Sequence, residues 1–172
     1  DSDAIECIDY ARRMGAQILS NSWGGGPGSS ALETAISATR TAGLIFVAAA
    51  GNEASDNDRV ASFPANFDFD NIVSVAATDR RDQLATFSNY GASKVDLAAP
   101  GVEIRSTWFN SDSAYQSISG TSMATPHVAG AFALLKAQFP GDSAQQLISR
   151  LLSSTDPLTS LARKCRTGGR LN

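Results

Sequence analysis

The apolar residues of this chain change period as it is read. Over residues 3–13, Ala4, Ile5, Ile8 and Ala11 recur at the three- and four-residue spacing of one helix face. Ile18 and Leu19, followed by Ser20 and Asn21, predict a short strand, and the break at 24–28 (Gly-Gly-Gly-Pro-Gly) ends it. Over residues 30–42 the helical period returns. Leu32, Ala35, Ile36 and Thr39 share a face, Ser30 and Glu33 fit a capping box, and Gly43 is a C-terminal stop. Residues 44–48, 72–76 and 95–98 are continuous apolar or small-residue runs, as expected of strands buried on both faces. Residues 103–108 and 115–119 predict a hairpin around Asn110, Ser111 and Asp112. A long small-residue helix is predicted over 122–138 and ended by Pro140 and Gly141. Asp142 and Gln145 fit a second capping box, opening a helix with Leu147, Ile148, Leu151 and Leu152 on one side.

Buried strands alternating with helices predict an α/β protein with a mainly parallel sheet between two helical layers. In such sheets ligands sit beyond the carboxyl ends of the strands, so the loops after Leu19, Ala50 and Ala98 are where a site is expected.

The chain has 172 residues, which suggests one domain over 1–172. Hydrophobic residues make up 42% and charged residues 18%, which excludes a charge-rich disordered chain. A net charge of −3 gives no footprint for a nucleic-acid backbone, and no apolar run is long enough for an ordinary transmembrane helix. Neither nucleic acid nor a membrane is therefore expected as a partner. The opening Asp1-Ser2-Asp3 lacks the basic end and apolar core of a signal peptide, and a processed chain or a piece of a longer one is expected. Cys7 and Cys165 either close one long loop or are free thiols, and Cys7, lying in an apolar helical pattern, is expected to be a small buried hydrophobe. Two cysteines and one histidine do not supply the four ligands of a Cys/His zinc site.

Three segments carry candidate chemistry. In the run 120–126, Gly-Thr-Ser-Met-Ala-Thr-Pro, Ser122 stands at the mouth of a predicted helix. Helix N-termini carry partial positive charge and unpaired N–H groups, so a nucleophilic hydroxyl there has donors beside it for an oxyanion. The plainer alternative is that Ser122 only caps the helix. In 48–53, Ala-Ala-Ala-Gly-Asn-Glu, Asn52 projects from a strand-end loop and its amide is a candidate oxyanion donor; the alternative is a left-handed turn asparagine. In 22–26, Ser-Trp-Gly-Gly-Gly, an edge ending in glycines offers an extended peptide a strand to pair with, or is a plain turn.

Together these segments are recognisable. The run 120–130, Gly-Thr-Ser-Met-Ala-Thr-Pro-His-Val-Ala-Gly, closely resembles the nucleophile motif of the subtilisin-like serine peptidases. Residues 49–53 resemble their oxyanion-asparagine segment and 21–25 their substrate-binding strand; 87–91 (Phe-Ser-Asn-Tyr-Gly), Asp96 and 99–101 also fall in family order. Residues 119–130 and 106–108 look most like the proteinase K branch.

The resemblance implies a subtilisin-like three-layer α/β/α fold. It also implies an endopeptidase in which Ser122 attacks the scissile carbonyl while Asn52 and the Ser122 N–H hold the oxyanion. The substrate would be a polypeptide, or a polypeptide inhibitor, lying along Ser22, Trp23 and Gly24 on one side and Ala48, Ala49, Ala50 and Gly51 on the other. The S1 walls would be Ala48, Ala49 and Ala50 against Phe63, Pro64 and Ala65, giving an apolar or aromatic P1 preference, and Trp23 would narrow the P4 pocket. Asp96 resembles a structural calcium carboxylate, with backbone oxygens of Asp70 and Ile72 as partners. Family habit implies secretion.

One departure dominates. The family's aspartate and histidine motifs are absent, and the single histidine, His127, lies inside the nucleophile motif as a helix residue. Loss of the histidine from such a triad costs about 2 × 10⁶ in kcat. The chain is therefore expected to be the C-terminal portion of a catalytic domain. It would be inactive alone, prone to association through open sheet edges, and completed by an upstream segment of the same protease. Two other readings stand beside this one. The first is a non-catalytic peptide-binding or structural module of the same fold. The second is an unrelated esterase, disfavoured because Ala124 stands where the Gly-x-Ser-x-Gly elbow needs its second glycine.

Overall fold

The computed structural model describes residues 2–172. The elements run α1 (Ser2–Arg13), β1 (Ile18–Asn21), α2 (Ser30–Thr41), β2 (Ile45–Ala49), β3 (Ile72–Thr78), β4 (Leu97–Pro100), β5 (Ile104–Thr107), β6 (Tyr115–Ile118), α3 (Thr121–Gln138), α4 (Ala144–Ser153), β7 (Asp156–Pro157) and β8 (Gly169–Arg170). Among these residues one sheet has the order β1-β2-β3-β4-β8-β7, parallel throughout except for the β7–β8 pair, and β5 and β6 form a separate antiparallel hairpin.

The apolar runs became strands because alternate side chains are wanted on both faces. On one face, Phe46, Ala48 and Ile72 pack with Ile8 of α1 and Leu32 and Ile36 of α2. On the other, Ile45, Val47, Val73, Val75, Leu97 and Ala99 pack with Val128 and Phe132 of α3 and Leu147 and Leu151 of α4. Further along the first face, Ala76 and Ala98 are covered by Leu161 and Cys165. This is the three-layer arrangement expected from the alternation of periods. No helix among the described residues is long and apolar enough to cross a membrane.

Both helix caps sit one residue away from the expected place, and of the two helices α4 carries a capping box and α2 does not. α2 is capped by Ser29, whose hydroxyl accepts from Leu32 N, and Ser30 is already helical. α4 carries its box on Ser143 and Gln146, because Asp142 turns its carboxylate to Arg150 instead. Both cysteines are free, and Cys7 is exposed rather than buried, since the helix turns Ile8 to the core and its neighbour outward. The thiol of Cys165 is pushed up by burial.

Candidate active site

The carboxyl ends of β1 and β2 and the N-terminus of α3 meet at one place. β1 delivers Ser22, β2 delivers Gly51 and Asn52, and α3 opens with Thr121 and Ser122. The cap of α3 is Gly120, which offers no side chain, so Ser122 lies within the first turn and is not the capping residue. A Cβ on Gly120 would meet Ser122 N at 3.6 Å and Asn52 Oδ1 at 3.7 Å, ordinary van der Waals contact, so Gly120 lies next to both groups.

Asn52 is held by its oxygen. Oδ1 accepts from Thr121 N at 2.8 Å and from Thr121 Oγ1 at 3.0 Å, while Nδ2 donates to no group among the described residues. The amide is thereby fixed with its N–H groups free, beside the residue that precedes Ser122. Asn52 does not have the left-handed backbone of a turn asparagine; that conformation falls to Gly51, with φ 115°. A Cβ at Gly51 would sit 2.3 Å from Asn89 Nδ2.

Pro126 explains a second link. As a proline inside α3 it has no N–H for the carbonyl four residues back, which belongs to Ser122. That carbonyl accepts instead from Ser22 Oγ at 2.8 Å, and Ser122 Oγ donates to Ser22 O at 3.2 Å. Substrate strand and helix mouth are thus bound reciprocally. The sole histidine, His127, is exposed, and its Nδ1 lies 2.8 Å from Met123 O on its own helix, which occupies it structurally.

The loop behind Asn52 is organised by Asn89, only 1% exposed. Its Oδ1 accepts from Glu53 N and Ser55 N, and its Nδ2 is shared among Ala50 O, Glu53 Oε2 and Asn57 Oδ1. Glu53 Oε2 also accepts from Asn52 N at 2.9 Å. Neither Asn89 nor Thr121 was assigned a role from the sequence, although both lie in motifs noted there.

The expected substrate residues divide. Ser22 and Gly51 lie at the site, Ser22 bonded to Ser122 and Gly51 N donating to Thr121 Oγ1 at 3.3 Å, while Gly24 packs against Phe63 and Pro64. Ala48 and Ala50 are fully buried in the sheet and Ala49 nearly so. A cavity of about 360 Å³ is lined by Gly25, Gly26, Pro27, Glu53, Val60 and Ser62. The alanine side chains are thus turned into the fold, and a carboxylate, Glu53, stands at this cavity. Phe63, Pro64 and Ala65 pack against the glycine loop: Gly25 N donates to Phe63 O at 2.9 Å, and a Cβ on Gly24 would lie 2.8 Å from that oxygen. Trp23 packs partly buried against the Ile8–Leu32–Ile36 cluster.

Asp96, Asp70 and Ile72 line one cavity of about 160 Å³, together with Arg166 and the Lys94–Asp68 pair at 3.3 Å. Asp96 Oδ2 accepts from Ser74 N at 2.7 Å, and Oδ1 pairs with Arg166 Nη2 at 2.6 Å. Burial raises the pKa of Asp96, opposed by the Arg166 charge and the Ser74 N–H. The Asp70 carboxylate is turned to Arg40, which holds it below the usual carboxylate range. Among the described residues no group of three or more His, Cys, Asp or Glu side chains gathers for a metal. The donors at Asp96 do not suit a divalent ion, because both carboxylate oxygens are engaged and a guanidinium occupies the cation's side.

A mainly parallel α/β sheet thus carries a serine hydroxyl and a tethered asparagine amide at its carboxyl edge. The profile of the subtilase family matches residues 1–168, and the chain belongs to that family. It is similar to subtilisin DY of Bacillus licheniformis, 38% identical over 158 residues, which are 91% of this chain and 56% of that protein. Thermitase of Thermoactinomyces vulgaris is 42% identical over 152 residues, 88% of this chain and 51% of that protein. The solved structure of a cold adapted subtilisin-like serine proteinase superposes with a TM-score of 0.87 at 36% identity, covering 99% of this chain and 60% of that one. The chain spans about half the length of the curated relatives it matches, and its fold is the subtilisin-like three-layer α/β/α fold.

Proposed function

We propose that this chain supplies the nucleophile and oxyanion hole of a serine endopeptidase. The observation that carries the reading is the double hold on Asn52 Oδ1 by Thr121, which leaves the amide N–H groups free beside Ser122. Ser122 Oγ attacks the scissile carbonyl, and a proton leaves Oγ for a general base. The carbonyl oxygen gains charge between Asn52 Nδ2 and the Ser122 N–H, and as the C–N bond breaks the base returns its proton to the departing amine, leaving the acyl-enzyme on Ser122. One such donor is worth about 2.7–4 kcal/mol. The base is a histidine outside these 172 residues, with its orienting aspartate, since His127 is tied to its own helix. These 172 residues alone are inactive in this reading, and the partner is the segment of the same protease that carries those two residues. The substrate is an extended polypeptide paired along residues 22–24, and the protein is secreted, like the subtilases it resembles. Within the family the reading favours the proteinase K branch, supported by the resemblance of residues 119–130 and 106–108.

The experiment is hydrolysis of a peptide anilide by the chain joined to an aspartate- and histidine-bearing subtilase segment. Activity should appear only in the joined form, vanish in Ser122→Ala, and fall about 10²–10³-fold in kcat in Asn52→Ala. Equal activity with Ser122→Ala would remove the proposal, and a joined form with no activity would leave the second reading, a peptide-binding module.

A further inference from the structure

We infer that Arg166 is a built-in cation, occupying in this chain the position that a subtilase gives to a structural calcium ion at Asp96. The inference does not depend on the catalytic reading. Asp96 is 7% exposed, and the two other carboxylates that line its cavity are each engaged by a cation of their own, Asp70 by Arg40 at 2.6 and 3.3 Å and Asp68 by Lys94 at 3.3 Å. A buried carboxylate needs a compensating charge. The one it has is the guanidinium at 2.6 Å.

That pairing is built into the backbone. Arg166 N donates to Val95 O at 2.7 Å and Thr167 N to Asp96 O at 3.1 Å, so the segment bearing the arginine is laced to the segment bearing the aspartate. On the far side Asp96 Oδ2 takes the Ser74 N–H of β3, which fixes the carboxylate plane with Oδ1 toward Arg166. Lys94 lines the same cavity and pairs with Asp68 at 3.3 Å, so these two charges offset each other and leave Arg166 as the cation of Asp96. Calcium requires six to eight oxygen ligands at roughly 2.3–2.6 Å. Here it would meet one carboxylate already doubly engaged and the Arg166 guanidinium upon it, which repels a divalent ion twice as strongly as a monovalent one.

If this is so, calcium cannot settle on Asp96 until Arg166 is removed. Crystals of the protein grown in millimolar calcium should keep the Arg166–Asp96 pair with no ion on Asp96; an ion coordinated there would overturn the inference. In Arg166→Gln the carboxylate loses its partner and calcium can take its place. The unfolding midpoint of Arg166→Gln should therefore rise on adding calcium after chelation by several degrees more than that of the unaltered protein, through binding to the folded state only. Asp96→Asn introduced into Arg166→Gln should abolish the extra rise. Should Arg166→Gln respond to calcium no more than the unaltered protein, or fail to fold with and without it, Arg166 does not stand where an ion would bind.

Discussion

Asn89→Asp tests how the oxyanion loop is held. The change is nearly isosteric, so no cavity term enters, and the acceptor Oδ1 that serves Glu53 N and Ser55 N is retained. What is lost is the amide N–H₂ shared among Ala50 O, Glu53 Oε2 and Asn57 Oδ1 at 3.0–3.1 Å. Two hydrogen bonds at about 1 kcal/mol each give about 2 kcal/mol. Two of the three acceptors have other donors, Asn57 Nδ2 for Ala50 O and Asn52 N for Glu53 Oε2. That leaves one acceptor facing an acceptor, another ~1–3 kcal/mol. The expected loss is about 3–5 kcal/mol at neutral pH. The new carboxyl is buried beside Glu53, so its folded pKa is raised above its unfolded one. By linkage the deficit is full at neutral pH and shrinks as pH falls through that raised value, because the protonated acid recovers a donor. Urea unfolding at pH 7 and pH 5 would read both effects, with an unchanged m showing that the unfolded state is not altered. A variant within about 0.5 kcal/mol of the parent at pH 7, the range of ordinary surface changes, would refute the network's role.

Three further outcomes follow from other parts of the molecule. Phe132, fully buried between α3 and the sheet, should cost about 3–5 kcal/mol on truncation to alanine, measured by urea unfolding, and a loss below 1 kcal/mol would mean the core is loosely packed there. Thr121→Val removes one of the two bonds to Asn52 Oδ1, so in the active joined form kcat should fall about tenfold with KM unchanged, and an unaltered kcat would show that the backbone N–H alone orients the amide. The N–H groups of Gln83 and Arg81 hold Asp79 below the usual carboxylate range. Its contribution is therefore present above the unfolded pKa and lost as pH falls through the folded one, so Asp79→Ala should lower the unfolding midpoint at pH 7 and match the parent in strong acid. A difference that persists in acid would assign the effect to something other than the charge.

The sheet was legible because β2 and β3 are apolar on both faces, a pattern that only a covered parallel strand needs. Cap positions slipped by one where two capable residues adjoin, Ser29 with Ser30 and Asp142 with Ser143; which of them caps is decided by partners such as Arg150 eight residues on. The short β7 and β8 gave no signal, being two residues each and held by backbone pairing with little side-chain pattern. Ser122 and Asn52 were legible from their motifs. The Asn89 network was not, since its bonds reach across 32 to 39 residues. The Arg166–Asp96 pair, 70 positions apart by number, is likewise a product of the fold.

The central claim is that Ser122 is a nucleophile whose oxyanion is met by Asn52. Its most direct measurement is intact and peptide mass spectrometry after a serine-directed phosphonate is added to the joined, histidine-bearing form. One adduct per chain on Ser122, formed far more slowly in Asn52→Ala, is the predicted result. An unlabelled Ser122, or labelling indifferent to residue 52, would contradict it.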